Sequence, residues 1–317
     1  MLGALATLGV GLMAGLVAYY SGFPLGALAQ SESRAEFRYV PREAALVAYA
    51  NVREVMASDL RQRLRRFETP GSSNAQAEFE RRTGIDIERD LDRVVACVMP
   101  PKAGASDEAA LVLARGRFDF ARLERLAREH GGRVEEYKGR RVVSHPPESG
   151  ERRMAVGFLE AGLIAIGSEP LVRQAIDLAG GGANVTANAD MMRLVDEIDE
   201  GNAWAVGRFD ALTESARLPP GVLEKLPPIT WFSASGTVNG GVRGVVRAEA
   251  RDEAAAQNLR DVVRGFMALA RMQAGSQPAT DAVMQSLELG GTGRTVSLSF
   301  TVPAEVFEAA TKPAPAP

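Results

Sequence analysis

The stretch Thr230-Trp231-Phe232-Ser233-Ala234-Ser235-Gly236-Thr237-Val238-Asn239-Gly240-Gly241-Val242-Arg243-Gly244-Val245-Val246-Arg247-Ala248-Glu249-Ala250 reads as one long β-hairpin. Asn239-Gly240-Gly241 is strong turn chemistry between two strand-length runs, Thr230 to Val238 and Val242 to Ala250. Downstream, Asp252 to Met272 reads as a long helix, and strands are expected over Val283 to Leu289 and Thr295 to Val302, flanking Gly290 to Arg294. A short helix and an Ala/Pro tail end the chain. Upstream lie a helix over Ala189 to Ile198, a strand over Ala203 to Val206, a further helix from Ala211 to Ala216 and a proline-rich loop from Leu218 to Pro228.

The first half uses the same parts. Ala44 to Ala50 is an apolar run of strand length, followed by an amphipathic helix over Val52 to Phe67 with Val55, Met56, Leu60, Leu64 and Phe67 on one face. A second amphipathic stretch, Ala75 to Arg82, precedes Ile85 to Leu91 and the very apolar strand Val94 to Met99, stopped by Pro100 and Pro101. Ala109 to Ala114 is a strand and Phe120 to His130 a helix, N-capped by Asp119. Four short strands follow at Arg133–Tyr137, Arg141–Ser144, Met154–Leu159 and Leu163–Ile166, and then a helix from Glu169 to Leu178. Gly180-Gly181-Gly182 breaks the pattern.

Antiparallel hairpins with helices able to cover a sheet face make the expected fold α+β. It consists of two related halves, 40–182 and 183–310, of mainly antiparallel sheet with helices packed on one face. Residues 1–29 form a membrane anchor or signal segment, 30–39 a polar tether and 311–317 a disordered tail.

Met1 to Tyr20 contains no Asp, Glu, Lys or Arg. At about 1.5 Å per residue, Leu2 to Tyr20 spans roughly 28 Å, near the thickness of a bilayer core. Tyr19 and Tyr20 fall where amphipathic rings meet headgroups, and Ser21, Gly22 and Pro24 end the helix. The segment reads as a single-pass anchor through Leu2 to Tyr20; the alternative is a signal peptide cut after Ala29, at Ala27-x-Ala29. Arg34, Arg38 and Arg42 vote for a cytoplasmic body under the positive-inside rule, but Glu32, Glu36 and Glu43 are interleaved with them. The expectation is a bacterial inner-membrane protein with its body outside the cytoplasm, secreted if cleaved.

Composition sets further bounds. Hydrophobic residues make up 46% of the 317, enough for extensive cores. A net charge of -3 supplies no general attraction to nucleic acid, so no nucleic-acid partner is expected. Of the basic residues only Lys102, Lys138, Lys225 and Lys312 are lysine, which with abundant alanine suggests a GC-rich bacterial genome. Cys97 is the one cysteine, so an intramolecular disulfide and a Cys-based zinc cluster are excluded.

Several catalytic signatures are missing: HExxH, the Walker A loop, Ser-x-x-Lys, GxSxG and GxGxxG. No catalytic, cofactor-binding or metal residue is therefore assigned, and no cofactor is expected. Residues with a bland reading carry the remaining signals. His130 sits at a helix C-terminus and His145 in a loop before Pro146. Asp86, Glu88, Asp90 and Asp92 read as an acidic helix start rather than a calcium loop. Gly290 to Arg294 reads as a hairpin tip rather than a phosphate cradle, and Trp204 and Trp231 as core. Asn184-Val185-Thr186 matches a glycosylation sequon, which has little meaning in a bacterial chain. Gly-Arg-Phe-Asp occurs twice, at 116–119 and 207–210, as a strand-cap-helix device or as a paired arginine site at Arg117 and Arg208.

The run Val40-Pro41-Arg42-Glu43-Ala44-Ala45-Leu46-Val47-Ala48-Tyr49-Ala50-Asn51-Val52-Arg53, with Phe158-Leu159 to Gly167-Ser168-Glu169-Pro170-Leu171-Val172 and Val296 to Pro303, resembles uncharacterised bacterial membrane-anchored extracytoplasmic proteins containing a domain of unknown function. The resemblance implies repeated strand and helix units, and no activity or site residues. The functional expectation is a non-enzymatic envelope binding or scaffold module with a protein or lipid partner. A hydrophobic-ligand carrier is the alternative, and an envelope hydrolase stands third.

Overall fold

A computed structural model describes residues 34–64, 80–81, 83–100, 109–144, 153–198, 201–210, 227–273 and 278–311. Leu2 to Tyr20, Ala211 to Ala216, His145 and 312–317 of the expected tail lie outside them, whereas Thr311, assigned to that tail, ends the helix Ala304–Thr311. No helix among the described residues is long and apolar enough to cross a membrane. The described residues form two compact α+β units, one of 34–53 and 80–197, the other of 54–64 and 198–311.

The first unit contains β1 (Leu46–Ala50), β2 (Leu91–Val98), β3 (Ala110–Gly116), β4 (Arg133–Tyr137), β5 (Arg140–Ser144), β6 (Met154–Glu160) and β7 (Leu163–Ser168). They pair antiparallel in the order β1-β2-β3-β7-β6-β5-β4. All five residues of β1 are buried, which is why its sequence is a continuous apolar run rather than an alternation.

Helices cover both faces here, not one. A Cβ on Gly157 would lie 2.6 Å from Val172 Cγ1 of the helix Glu169–Ala179, so that helix rests directly on the strand at a residue with no side chain. The next residue, Phe158, points to the opposite face and stacks at 4.5 Å on Phe120 of the helix Phe120–Glu129. The compact unit runs on past Gly180-Gly181-Gly182 to Glu197. Pro41 bridges Asn184, and the Val185 N–H donates to the Val40 carbonyl at 2.9 Å, which keeps 183–197 with the first strands.

The second unit contains β8 (Ala203–Arg208), β9 (Ile229–Val238), β10 (Gly241–Ala250), β11 (Glu288–Gly290) and β12 (Thr295–Pro303), antiparallel in the order β8-β9-β10-β12-β11. Strand order thus repeats: in each unit the last strand, β7 or β12, returns beside the third, and the strand before it takes the next place. The first unit adds the β4–β5 hairpin.

One face of the second sheet is apolar. Val242, Phe300 and Val302 pack with Val283, Met284, Ala270 and Leu60, while Ala255, Ala256 and Leu259 of the helix Glu253–Gln273 cover Ala250 and Val296. On the other face Arg243, Val245, Arg247 and Glu249 stand opposite Thr301, Ser299, Ser297 and Thr295, and none of the eight is buried.

Two elements differ from expectation. The helix expected over Val52–Phe67 is two short helices, Val52–Met56 and Asp59–Leu64, among the described residues. Ser58 separates them, its hydroxyl donating to the Val55 carbonyl at 2.6 Å and accepting the Arg61 N–H at 3.2 Å. The strand expected over Val283–Leu289 is mostly the helix Pro278–Ser286, leaving only Glu288–Gly290 as β11. Val283 and Met284 are neighbours in sequence and join the same core cluster, which a helix permits and a strand, whose successive side chains leave on opposite faces, does not. Ser286 closes that helix by donating to Val283 O at 2.7 Å and accepting the Thr301 N–H at 2.9 Å.

Candidate functional site

The segment read as the end of a polar tether is folded onto the first unit. Glu36–Tyr39 forms one 3-10 turn, and Glu36, Phe37, Tyr39 and Val40 are all buried. Arg34 pairs with Asp196 at 2.5 Å, and Asn188 Nδ2 donates to the Arg42 carbonyl at 3.2 Å. Residues 34–42 therefore form a strap across the first unit, between the apolar N-terminal run and β1.

The strap is fastened by charge. Arg93 on β2 and Arg115 on β3 are directly paired across the strands, Leu163 on β7 stands opposite Arg115, and Glu160 on β6 stands opposite Leu163. Strand pairing thus lines up two guanidiniums and a carboxylate along one row of the sheet. Glu36, only 1% exposed, turns its Oε1 onto Arg93 at 3.4 Å and onto Arg115 Nε. Arg115 reaches Glu160 Oε1 at 2.5 Å, and Arg38 holds Glu160 Oε2 at 2.7 Å while stacking on the Tyr39 ring. Guanidinium and carboxylate alternate from Arg93 to Arg38.

Burial pushes the Glu160 carboxyl up, but the hydrogen bond from Arg115 and the charge of Arg38 outweigh it and hold its pKa below the usual range. Burial likewise opposes the Arg115 charge, and its hydrogen bonds to Glu160 and Glu36 overcome this and raise its pKa. Desolvation, with the Glu160 charge behind it, raises the Tyr39 phenol. Removing Arg115 strands the buried Glu36 carboxylate, at a cost of about 3–5 kcal/mol.

The opposite face of the same sheet carries a second feature. Ala96, Val112, Ile166, Val156, Val143 and Val134 lie opposite one another, one per strand from β2 to β4. Each is half-buried. At about 4.8 Å per strand the row is roughly 24 Å long. It lies on the face of Phe158, the face on which the helix Phe120–Glu129 packs.

The residues weighed in the sequence take structural places. Arg117 pairs with Asp90 at 3.2 Å in the first unit, and Arg208 pairs with its neighbour Asp210 at 2.9 Å in the second. Asp119 caps the helix Phe120–Glu129 by accepting the Arg122 N–H at 2.9 Å. Cys97 is buried, and burial pushes its thiol up to about 12. His130 ends that helix with Nδ1 2.8 Å from the Leu126 carbonyl. Asp86 caps the short helix Ile87–Asp90, and Asp92 pairs with Arg53. No group of three metal-binding side chains occurs among the described residues. Gly291 and Gly293 have positive φ in the β11–β12 turn, where the carbonyls of Gly293 and Thr295 accept from Arg260 at 3.1 and 3.0 Å. Asn184 caps a 3-10 turn by accepting the Thr186 N–H at 3.0 Å. Trp204 is core, whereas Trp231 is half-buried opposite Arg208 and Glu249.

Sequence reading weighed Glu36 and Arg38 only for membrane orientation and assigned none of Glu36, Arg38, Arg93, Arg115 and Glu160 to a site. The available signal was Phe37, Tyr39 and Val40: three large apolar residues in four positions are foreign to a polar tether.

No family model matches this chain, and no curated protein matches it. Among solved structures it is similar to TP0453 in its crystal form I, with a TM-score of 0.49 and 11% identity over 86% of this chain and 94% of that one.

Proposed function

We propose that this chain is a non-enzymatic, membrane-anchored binding or scaffold module of the bacterial envelope, built of two related halves and held by Leu2 to Tyr20 with its body outside the cytoplasm. The fastened strap carries the reading. A body that works at a fixed place beside a membrane needs a firm joint where its tether meets the fold. Here the first described residues after the apolar run are pinned by Arg34–Asp196, Arg38–Glu160 and the Glu36 pairs, with Phe37 and Tyr39 buried. Fusing alkaline phosphatase or a cytoplasm-maturing fluorescent protein after Pro317, and weighing the mature N-terminus, tests it. Phosphatase activity with an uncut N-terminus is expected. Fluorescence alone would reverse the orientation, and a cut after Ala29 would make the protein secreted.

A second reading, a carrier of hydrophobic ligands, is favoured by the half-buried apolar row from Ala96 to Val134. Native mass spectrometry of the protein from membranes separates the two. Stoichiometric lipid lost on Val112→Asp would favour carriage; its absence leaves the scaffold reading ahead.

A further inference from the structure

The strap occupies a site that it only partly satisfies. Arg93 and Arg115 converge on a single carboxylate oxygen, Glu36 Oε1, with Arg93 at 3.4 Å. The other oxygen, Oε2, is buried and has no hydrogen-bond partner among the described residues. Guanidiniums offer forked N–H donors that a well-matched carboxylate takes up with both oxygens, and Glu36 takes them with one. The turn Glu36–Tyr39 contributes no strand to the ladder: β1 pairs with β2 from Leu46 onward, and the strap's own bridge, Pro41 to Asn184, follows the turn. The turn can therefore leave without breaking a strand pair.

We propose that Glu36 is a built-in ligand: Arg93 and Arg115 form a carboxylate-binding site, the Glu36–Tyr39 turn fills it from within the chain, and displacement of the turn opens it to a carboxylate from outside. Burial of Phe37, Tyr39 and Val40 keeps the filled arrangement dominant at rest. The N-terminal side of the strap leads to the apolar run, so a pull on that run reaches the turn before it reaches the sheet. An acidic side chain of a partner or a small free acid presents the same group to the two arginines.

The test is chemical rescue in the full chain, kept in detergent. Glu36→Ala removes the internal carboxylate and leaves both arginines. Acetate at about ten times its dissociation constant should raise the Tm of this variant by roughly 3–6 °C beyond its effect on the unaltered protein. The gain should vanish in the E36A/R115M double variant. Chloride at equal ionic strength should not reproduce it. Equal response of variant and unaltered protein, or equal response to chloride, overturns the site. Should Glu36→Ala not fold, hydrogen exchange in the unaltered protein decides whether the turn is displaceable. Amides of Phe37 to Val40 should exchange well before those of Val95 and Leu113, and exchange only together with them overturns the proposal. Neither readout depends on which side of a membrane the body lies.

Discussion

The two units share a strand order and differ in what they do with the two faces of a sheet. The first covers both, with Glu169–Ala179 resting on Gly157 and Phe120–Glu129 stacked beside Phe158, and it accepts a carboxylate at 1% exposure as part of its closure. The second covers one with apolar helices; on the other it buries Trp204, Val206, Ser233 and Ser235 of β8 and β9, and leaves Thr295, Ser297, Ser299, Thr301 and the two arginines of β10 unburied. An antiparallel ladder fixes neighbours and register but leaves each face free to be core or surface. Charge therefore plays opposite parts. In the first unit Glu36 must be paired because it is buried; in the second, exposed pairs such as Arg208–Asp210 contribute little.

The chain carries its own reporters for separating the two. Both tryptophans, Trp204 and Trp231, belong to the second unit, and the single cysteine, Cys97, is buried in the first. Tryptophan fluorescence thus follows one unit, and thiol labelling follows the other, because a thiol with its pKa pushed up to about 12 stays unreactive until the fold opens.

The largest expected effect is that of Arg115→Ala, which leaves Glu36 buried with only its longer contact to Arg93. It should cost about 3–5 kcal/mol. In urea, Cys97 labelling should move to lower concentration with the tryptophan transition less affected, and coincident movement would mean that the units unfold as one. Next comes Gly157→Ala. The added methyl meets Val172 Cγ1 at 2.6 Å and should cost about 1–3 kcal/mol by overpacking, again read by thiol labelling. A smaller loss, about 1 kcal/mol, is expected of Asn188→Ala, which removes both the cap on the Met191 N–H and the bond to the Arg42 carbonyl.

Acid should act on the first unit through Glu160. Its folded pKa lies below the unfolded value, so its contribution is present at neutral pH, above the unfolded value. It is lost as pH falls through the folded value. Protection of the Val95 and Leu113 amides from hydrogen exchange should therefore decline below about pH 4, by less in Arg38→Met than in the unaltered chain. The smallest effect belongs to the half-buried polar row of β12: Ser297→Ala should shift the tryptophan transition by no more than about 0.5 kcal/mol. A larger loss would mean that the Ser297 hydroxyl is held by a buried partner.

Much of the ladder was legible because local chemistry sets it. Asn239-Gly240-Gly241 turns the hairpin β9–β10, and Asp119 announces its helix. Val283 to Leu289 misled because a short apolar run has no period of its own, and only the cluster around Phe300 and Val302 selects the helix. The strap was missed for a related reason. Charges interleaved as in Glu32 to Glu43 look like solvated tether, and the partners that make Glu36 a buried residue lie 57 and 79 positions away.

By itself the sequence determined an uncharged apolar start, antiparallel hairpins with helices in an α+β chain, and the exclusion of disulfide and cysteine-zinc chemistry. These follow from residue identity and short-range spacing. Only the tertiary structure decided which faces are covered, where the compact units divide, and that Arg93, Arg115 and Glu160 form one row closed by Glu36. Burial and charge pairing depend on strands brought together from distant parts of the chain, and no local window contains both members of such a pair.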